Sequence, residues 1–161
     1  MTDICTKIVN ALTEKGLTIS TAESCTGGLV GKSLTDISGA SAVYWGGVIS
    51  YDNSVKENVL GVKKETLNTV GAVSYDTACQ MALGVKKLLN TDIGISTTGI
   101  AGPGGGTPQK PVGTVYVGIA YKDSVEGYLL NINPSLSRDE IRKAATHRLL
   151  SMTCEKILEN Y

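Results

Sequence analysis

The segment Leu17-Thr18-Ile19-Ser20-Thr21-Ala22-Glu23-Ser24-Cys25-Thr26-Gly27-Gly28 passes from a β-branched run into a polar turn ending in two glycines, and then into the helical pattern Leu29–Ile37. A short β-branched run reads as a buried strand, and the helix after it is expected to begin near Ser24 or Cys25. A strand handing over to a helix is half of a parallel α/β unit. Upstream, Ile4, Ile8, Val9 and Leu12 give Asp3–Lys15 a helical spacing, stopped by Gly16. Downstream, Trp45–Tyr51 and Asp92–Thr98 read as further strands. Short helices are expected at Asn53–Leu60 and Lys63–Val70. A longer one runs from Ser74 to Leu89, with Ala78, Met81, Ala82, Val85 and Leu88 on one stripe. Gly113–Lys122 and Val125–Asn133 read as a hairpin about Asp123 and Ser124. Ser137 opens the last helix, whose apolar positions are Ile141, Ala145, Leu149, Met152 and Ile157. The expected fold class is an α/β sandwich on a mixed, mostly parallel sheet. No internal repeat or linker divides residues 1–161, so one domain is expected.

Bulk composition removes several function classes. Lys plus Arg and Asp plus Glu are 15 each, which gives no general electrostatic pull on DNA or RNA. No run of 18 apolar residues crosses a membrane, and Met1–Thr13 lacks the basic start and apolar block of a signal peptide, so a cytoplasmic location is expected. Cys5, Cys25, Cys79 and Cys154 form no close pair, which argues against a zinc knuckle or a redox pair. A homo-oligomer is compatible with all of this.

Three loops, each following a strand, carry chemistry-bearing residues. The first, Ala22–Gly28, sets Ser24 beside backbone N–H groups of a helix start, where Gly27 and Gly28 let a ligand approach. Ser24 or Thr26 equally suits a plain helix cap. Cys25 is a rival nucleophile, since a cysteine in a first helical turn gains acidity. The second loop, Ser50–Lys56, brings Lys56 to the same sheet edge. A lysine deprotonates a serine only when it is itself neutral, and its ordinary value near 10.4 keeps it charged unless burial lowers it. Tyr51 could donate to it or relay the proton; a solvated Lys56 is the alternative. The third is the Gly/Pro-rich Gly99–Val112, whose Gly99, Ile100, Ala101 and Gly102 could form a nest of N–H groups around an anion or, equally, a surface loop. It lacks the Gly-Lys-Ser/Thr of a Walker loop. Arg138 and Arg142, four apart in the last helix, could clamp a phosphate. His147, the one histidine, reads as a partly buried packing residue and leaves a Ser-His-Asp triad or a zinc site improbable.

Ala22–Gly28, Gly47-Val48-Ile49-Ser50-Tyr51-Asp52-Asn53 with Lys56, Gly71-Ala72-Val73-Ser74, Gly99-Ile100-Ala101-Gly102-Pro103, and Lys110-Pro111-Val112-Gly113-Thr114-Val115 together resemble the CinA C-terminal domain family, which includes nicotinamide mononucleotide deamidases. The resemblance spans nearly the whole chain. It implies a three-layer α/β/α sandwich and hydrolysis of the carboxamide of a pyridine nucleotide, without metal or organic cofactor. It places the nucleophile at Ser24, its lysine partner at Lys56 and an assisting tyrosine at Tyr51. Substrate contacts are then expected from Thr26, Gly27, Gly28, Gly99, Ile100, Ala101, Gly102, Arg138 and Arg142. Leu136 and Ser137 stand where the family often shows Gly and Asp before the arginine. A non-catalytic nucleotide-binding module would use the same loops.

Overall fold

The computed structural model describes residues 1–161. Its elements are α1 (Thr2–Lys15), β1 (Ile19–Glu23), α2 (Leu29–Thr35), β2 (Tyr44–Ile49), α3 (Asn53–Asn58), α4 (Lys64–Thr69), α5 (Tyr75–Leu89), β3 (Ile93–Gly99), β4 (Thr114–Tyr121), β5 (Ser124–Asn131) and α6 (Arg138–Asn160). The five strands lie in the order β2-β1-β3-β4-β5. β1 pairs in parallel with β2 and β3, and β4 is antiparallel to both β3 and β5. The sheet is therefore mixed, and β4 alone runs against the rest.

Burial explains why the strands differ in pattern. β1 is buried at every residue, and β3 at all but its last. A strand covered on both faces needs no polar alternation. On one face α1, α2 and α6 pack together, and Ile8, Leu12, Val30, Leu34, Ile141 and Leu149 meet Ile95, Val117 and Ile119 of the sheet. On the other, Met81 and Val85 of α5 join Leu60, Val62 and Ala22. These are the three layers. The helix α5 lies close against the sheet where Gly94 and Gly118 carry no side chain. A Cβ on Gly118 would stand 2.4 Å from the Ala78 carbonyl oxygen, and one on Gly94 would stand 2.2 Å from that of Ala82. Ser96 Oγ uses the same closeness to donate to the Ala78 carbonyl at 2.6 Å.

Two expectations need correction. The second helix starts at Leu29, not near Ser24 or Cys25, because Gly27 and Gly28 hold φ of 58° and 101°, which no right-handed helix accepts. His147 lies exposed on α6 instead of partly buried. Ser137 does what a capping residue requires: its Oγ accepts from Glu140 N–H at 3.3 Å and the Glu140 carboxylate accepts from Ser137 N–H at 2.8 Å.

The parallel register decides where function can sit. Glu23, the last residue of β1, pairs with Ile49 on one side and Thr97 on the other. The chains leaving β1, β2 and β3 therefore emerge side by side at the carboxyl edge of the sheet, the usual ligand rim of such folds.

The glycine contact under α5 is directly testable. Gly118→Ala should lower stability by about 1–3 kcal/mol, because the added methyl meets backbone and not a movable side chain. Chemical denaturation should show a lower midpoint with an unchanged slope; an unshifted midpoint would contradict this packing.

Candidate active site

Ser24 stands at the first position beyond β1. Its N–H donates to the Thr97 carbonyl at 3.0 Å and its carbonyl accepts from Gly27 N–H at 3.1 Å. Both bonds fix the turn and leave Oγ pointing into a cavity of about 280 Å³ lined by Ser24, Tyr51, Lys56, Thr98, Gly102 and Arg138, among others. Ser24 is not the cap of α2.

Lys56 sits on α3, whose start is capped by Asp52 accepting from Ser54 N–H at 2.8 Å. Its side chain turns inward and is 1% exposed, among the largest fully buried side chains of the protein. The Nζ atom lies 3.1 Å from Ser24 Oγ, 2.7 Å from the Ser50 carbonyl oxygen and 3.4 Å from that of Tyr51. Burial holds its pKa below the ordinary lysine value of 10.5, against the opposing pull of the Asp52 charge. Three oxygens thus surround the amine: the two carbonyls can only accept from it, and the Ser24 hydroxyl accepts from Nζ as placed, or donates to it once the amine is neutral.

Tyr51 takes a different place from the one expected. Its hydroxyl, on a side chain mostly exposed, accepts from Arg138 Nη2 at 2.8 Å; the part of Tyr51 that meets Lys56 is its carbonyl. Arg138 Nη1 also donates to the Gly102 carbonyl at 2.7 Å, so one guanidinium ties the glycine loop to the tyrosine across the mouth of the cavity.

The glycine loop is anchored at its base, where Ile100 N–H donates to Thr114 and Gly113 N–H donates back to Ile100, each at 2.9 Å. Thr98 Oγ1 donates to the Ala72 carbonyl at 2.7 Å, which brings Ala72 and Val73 to the cavity wall. Lys110 Nζ fastens the far end of the loop to the Val70 carbonyl at 2.8 Å. The N–H groups of Cys25, Ala101 and Gly102 make no hydrogen bond within the chain, and all three residues line the cavity.

The structure gathers Ser24, Lys56, Tyr51, Gly99, Ile100, Ala101, Gly102 and Arg138 around one cavity. It does not bring Thr26, Gly27, Gly28 or Arg142 to that wall. Thr26 is fully buried, with Oγ1 at 2.6 Å from the Glu23 carboxylate and 2.7 Å from Thr97 Oγ1. Gly28 N–H, with those of Val30 and Gly31, is spent on that carboxylate. Arg142 donates from Nε to the Cys25 carbonyl at 3.1 Å and from Nη2 to that of Thr26 at 2.7 Å, bracing the turn that follows Ser24. The acidity expected of Cys25 is absent: burial, with the Glu23 charge adding to it, pushes its thiol up to about 11. At pH 7 about one thiol in 10⁴ is then ionised. His147 lines no part of the cavity.

Three participants escaped sequence reasoning. The Ser50 carbonyl acts through the backbone and leaves no trace in residue type. Thr98 stands in view at the head of the glycine loop, but nothing in its residue type tells that its hydroxyl bonds the Ala72 carbonyl 26 positions away. Glu23 did give one: a carboxylate directly before Ser-Cys-Thr-Gly-Gly and a helix is a helix-start signature.

Comparison with known proteins places the chain in a family. Residues 1–157 match the CinA C-terminal domain family. A CinA-like protein of Leptospira borgpetersenii is 59% identical over 121 residues, covering 75% of this chain and 29% of that one. A CinA-like protein of a Cyanothece strain is 54% identical over 141 residues, covering 88% and 34%. The chain thus spans about a third of the length of the curated relatives it matches. Among solved structures, the competence/damage inducible protein CihA of Agrobacterium tumefaciens superposes with a TM-score of 0.92 at 42% identity, covering 95% of this chain and 93% of that one. The competence damage-inducible protein A of Klebsiella pneumoniae superposes with a TM-score of 0.94 at 30% identity, covering 99% and 98%. The chain belongs to the CinA C-terminal domain family.

Proposed function

We propose that this protein is an amidohydrolase that converts the carboxamide of nicotinamide mononucleotide to the carboxylate, releasing ammonia, with Ser24 as nucleophile and Lys56 as base. The observation that carries the reading is the buried Lys56 Nζ, 3.1 Å from Ser24 Oγ. Neutral Lys56 takes the Ser24 proton as Oγ attacks the carboxamide carbon. The developing oxyanion falls to N–H groups not already spent, those of Cys25, Ala101 and Gly102; each such donor is worth roughly 10²–10³ in rate. The helix-start amides are committed to Glu23, which leaves the glycine loop as the better half of that hole. Collapse returns the proton from Lys56 to the leaving nitrogen, and ammonia departs. Lys56 then activates a water that cleaves the acyl-Ser24 ester. No step requires a metal or organic cofactor.

The substrate class rests on size and charge together with the family resemblance. A cavity of about 280 Å³ suits one small molecule. Arg138 is the only arginine on its wall, and its fork suits a phosphate.

Four outcomes test this. Ser24→Ala should cut ammonia release at least about 10⁴-fold while the chain stays folded; an undiminished rate would end the mechanism. Lys56→Arg, which keeps a cation that cannot deprotonate, should be equally inactive.

The pH profile follows from the base. The working form of Lys56 is neutral, and its folded pKa lies below 10.5. Protonation at lower pH removes the base, so kcat/KM should rise with pH along a limb whose midpoint lies below that value. A rate that falls as pH rises through this range would contradict it.

Arg138→Ala should raise KM for nicotinamide mononucleotide by about 10–10²-fold, the worth of one or two charged hydrogen bonds, with far less effect on nicotinamide itself. Ammonia assays on both amides separate the two cases. Tight binding of the nucleotide without turnover would favour a regulatory nucleotide-binding module.

A further inference from the structure

Glu23 has no place in the reaction, yet it is the most heavily bonded side chain near it. It is 2% exposed. Its Oε2 accepts from Thr26 Oγ1 at 2.6 Å and from Gly28 and Val30 N–H at 3.0 Å each, and its Oε1 accepts from Gly31 N–H at 2.8 Å. A buried carboxylate costs several kcal/mol unless it is fully partnered. A helix cap does not need this much: α3 and α5 manage with single side-chain oxygens from Asp52 and Ser74, whereas α2 has only seven residues. The excess points to the turn and not to the helix.

The bonding order closes a ring around the nucleophile. A carboxylate only accepts, so Thr26 Oγ1 donates to Glu23 and must accept from Thr97 Oγ1, 2.7 Å away. Thr97 in turn receives Ser24 N–H at its carbonyl, 3.0 Å away. Meanwhile the Glu23 carbonyl accepts Ser50 N–H at 2.8 Å, and the Ser50 carbonyl accepts from Lys56 Nζ at 2.7 Å. One residue thus ties down the nucleophile turn with its side chain and the anchor of the base with its main chain.

We infer that Glu23 is the positioning residue of the Ser24–Lys56 pair, setting the distance and direction from Oγ to Nζ through the Thr26–Thr97 ring. This rests on the proposed chemistry of Ser24 but not on its substrate. Misplacing a reacting atom by an ångström costs about 10² in rate. Glu23→Gln keeps the shape but turns an amide N–H toward at least one of the four donors, so the turn must shift.

The test reads Ser24 directly. The whole chain is treated with a fluorophosphonate, and labelling of Ser24 is followed by intact mass, with the folded fraction measured in parallel. Glu23→Gln should lower the maximal labelling rate per folded chain about 10–10²-fold while the half-saturating concentration moves less than about threefold. The pH limb should stay where it is in the parent protein. A purely structural Glu23 would lower the folded fraction and leave the rate per folded chain unchanged. If Glu23→Gln does not fold, Thr26→Val breaks the same ring at its hydroxyl and should slow labelling roughly tenfold. Labelling within twofold of the parent in a folded variant overturns the proposal. A parent chain that labels at Ser24 but releases no ammonia from nicotinamide mononucleotide removes the substrate and leaves Glu23 in its role; a parent chain that does not label at Ser24 overturns both.

Discussion

A lysine amine sealed from solvent against a serine hydroxyl is the constraint around which this protein is arranged. Lys56 gives up hydration to lie 1% exposed, and its Nζ is surrounded only by oxygens: the carbonyls of Ser50 and Tyr51 and the hydroxyl of Ser24. A charged amine in that position carries a desolvation cost that a neutral one does not. The sign for stability follows. The unfolded chain binds the proton more tightly than the folded one, so Lys56 costs the fold most at pH below its folded pKa, and the cost fades as pH rises toward 10.5. The protein bears that cost at one place, beside a serine held off the end of β1.

The fold accounts for the pairing without invoking special sequence around it. β1 lies between β2 and β3 in parallel register, so the residues after Glu23, Ile49 and Gly99 share one edge. Two braces then fix the turn that carries Ser24. Glu23 gathers amides from the α2 side, and Arg142 of α6 takes the Cys25 and Thr26 carbonyls. Arg138, one turn earlier on α6, reaches Gly102 and Tyr51 instead. The two arginines read in the sequence as one phosphate clamp therefore divide their work: one faces the cavity mouth and the other holds the turn that follows Ser24.

The parts legible in the sequence were those governed by local periodicity and by residue type at a strand end. The β-branched run before Ser24, the stripe on α5, the hairpin about Asp123 and the three loops on one rim all follow from pattern. Element ends shifted by a few residues where backbone conformation decided the matter. Gly27 and Gly28, which the expected helix start near Ser24 or Cys25 would include, adopt left-handed angles and delay α2 to Leu29. The acidity expected of Cys25 disappeared with that helix turn, and burial reversed its sign. The bond of Thr26 to Thr97, and those of Arg142 and Tyr51, were beyond reach, because they depend on residues about 70 to 120 positions away in the chain. The Ser50 carbonyl was illegible for a plainer reason, since every residue has one.

The charge on one amine is what the account stands or falls on. Selective isotope labelling of lysine, with the Lys56 Cε signal followed by NMR across a pH titration of the resting protein, reads that charge without substrate or turnover. The expected result is a midpoint below the ordinary lysine range, with the signal displaced by Ser24→Ala because the two groups share a hydrogen bond. A Lys56 signal that titrates at or above 10.5, as a solvated side chain does, would leave Ser24 without a base and contradict the account.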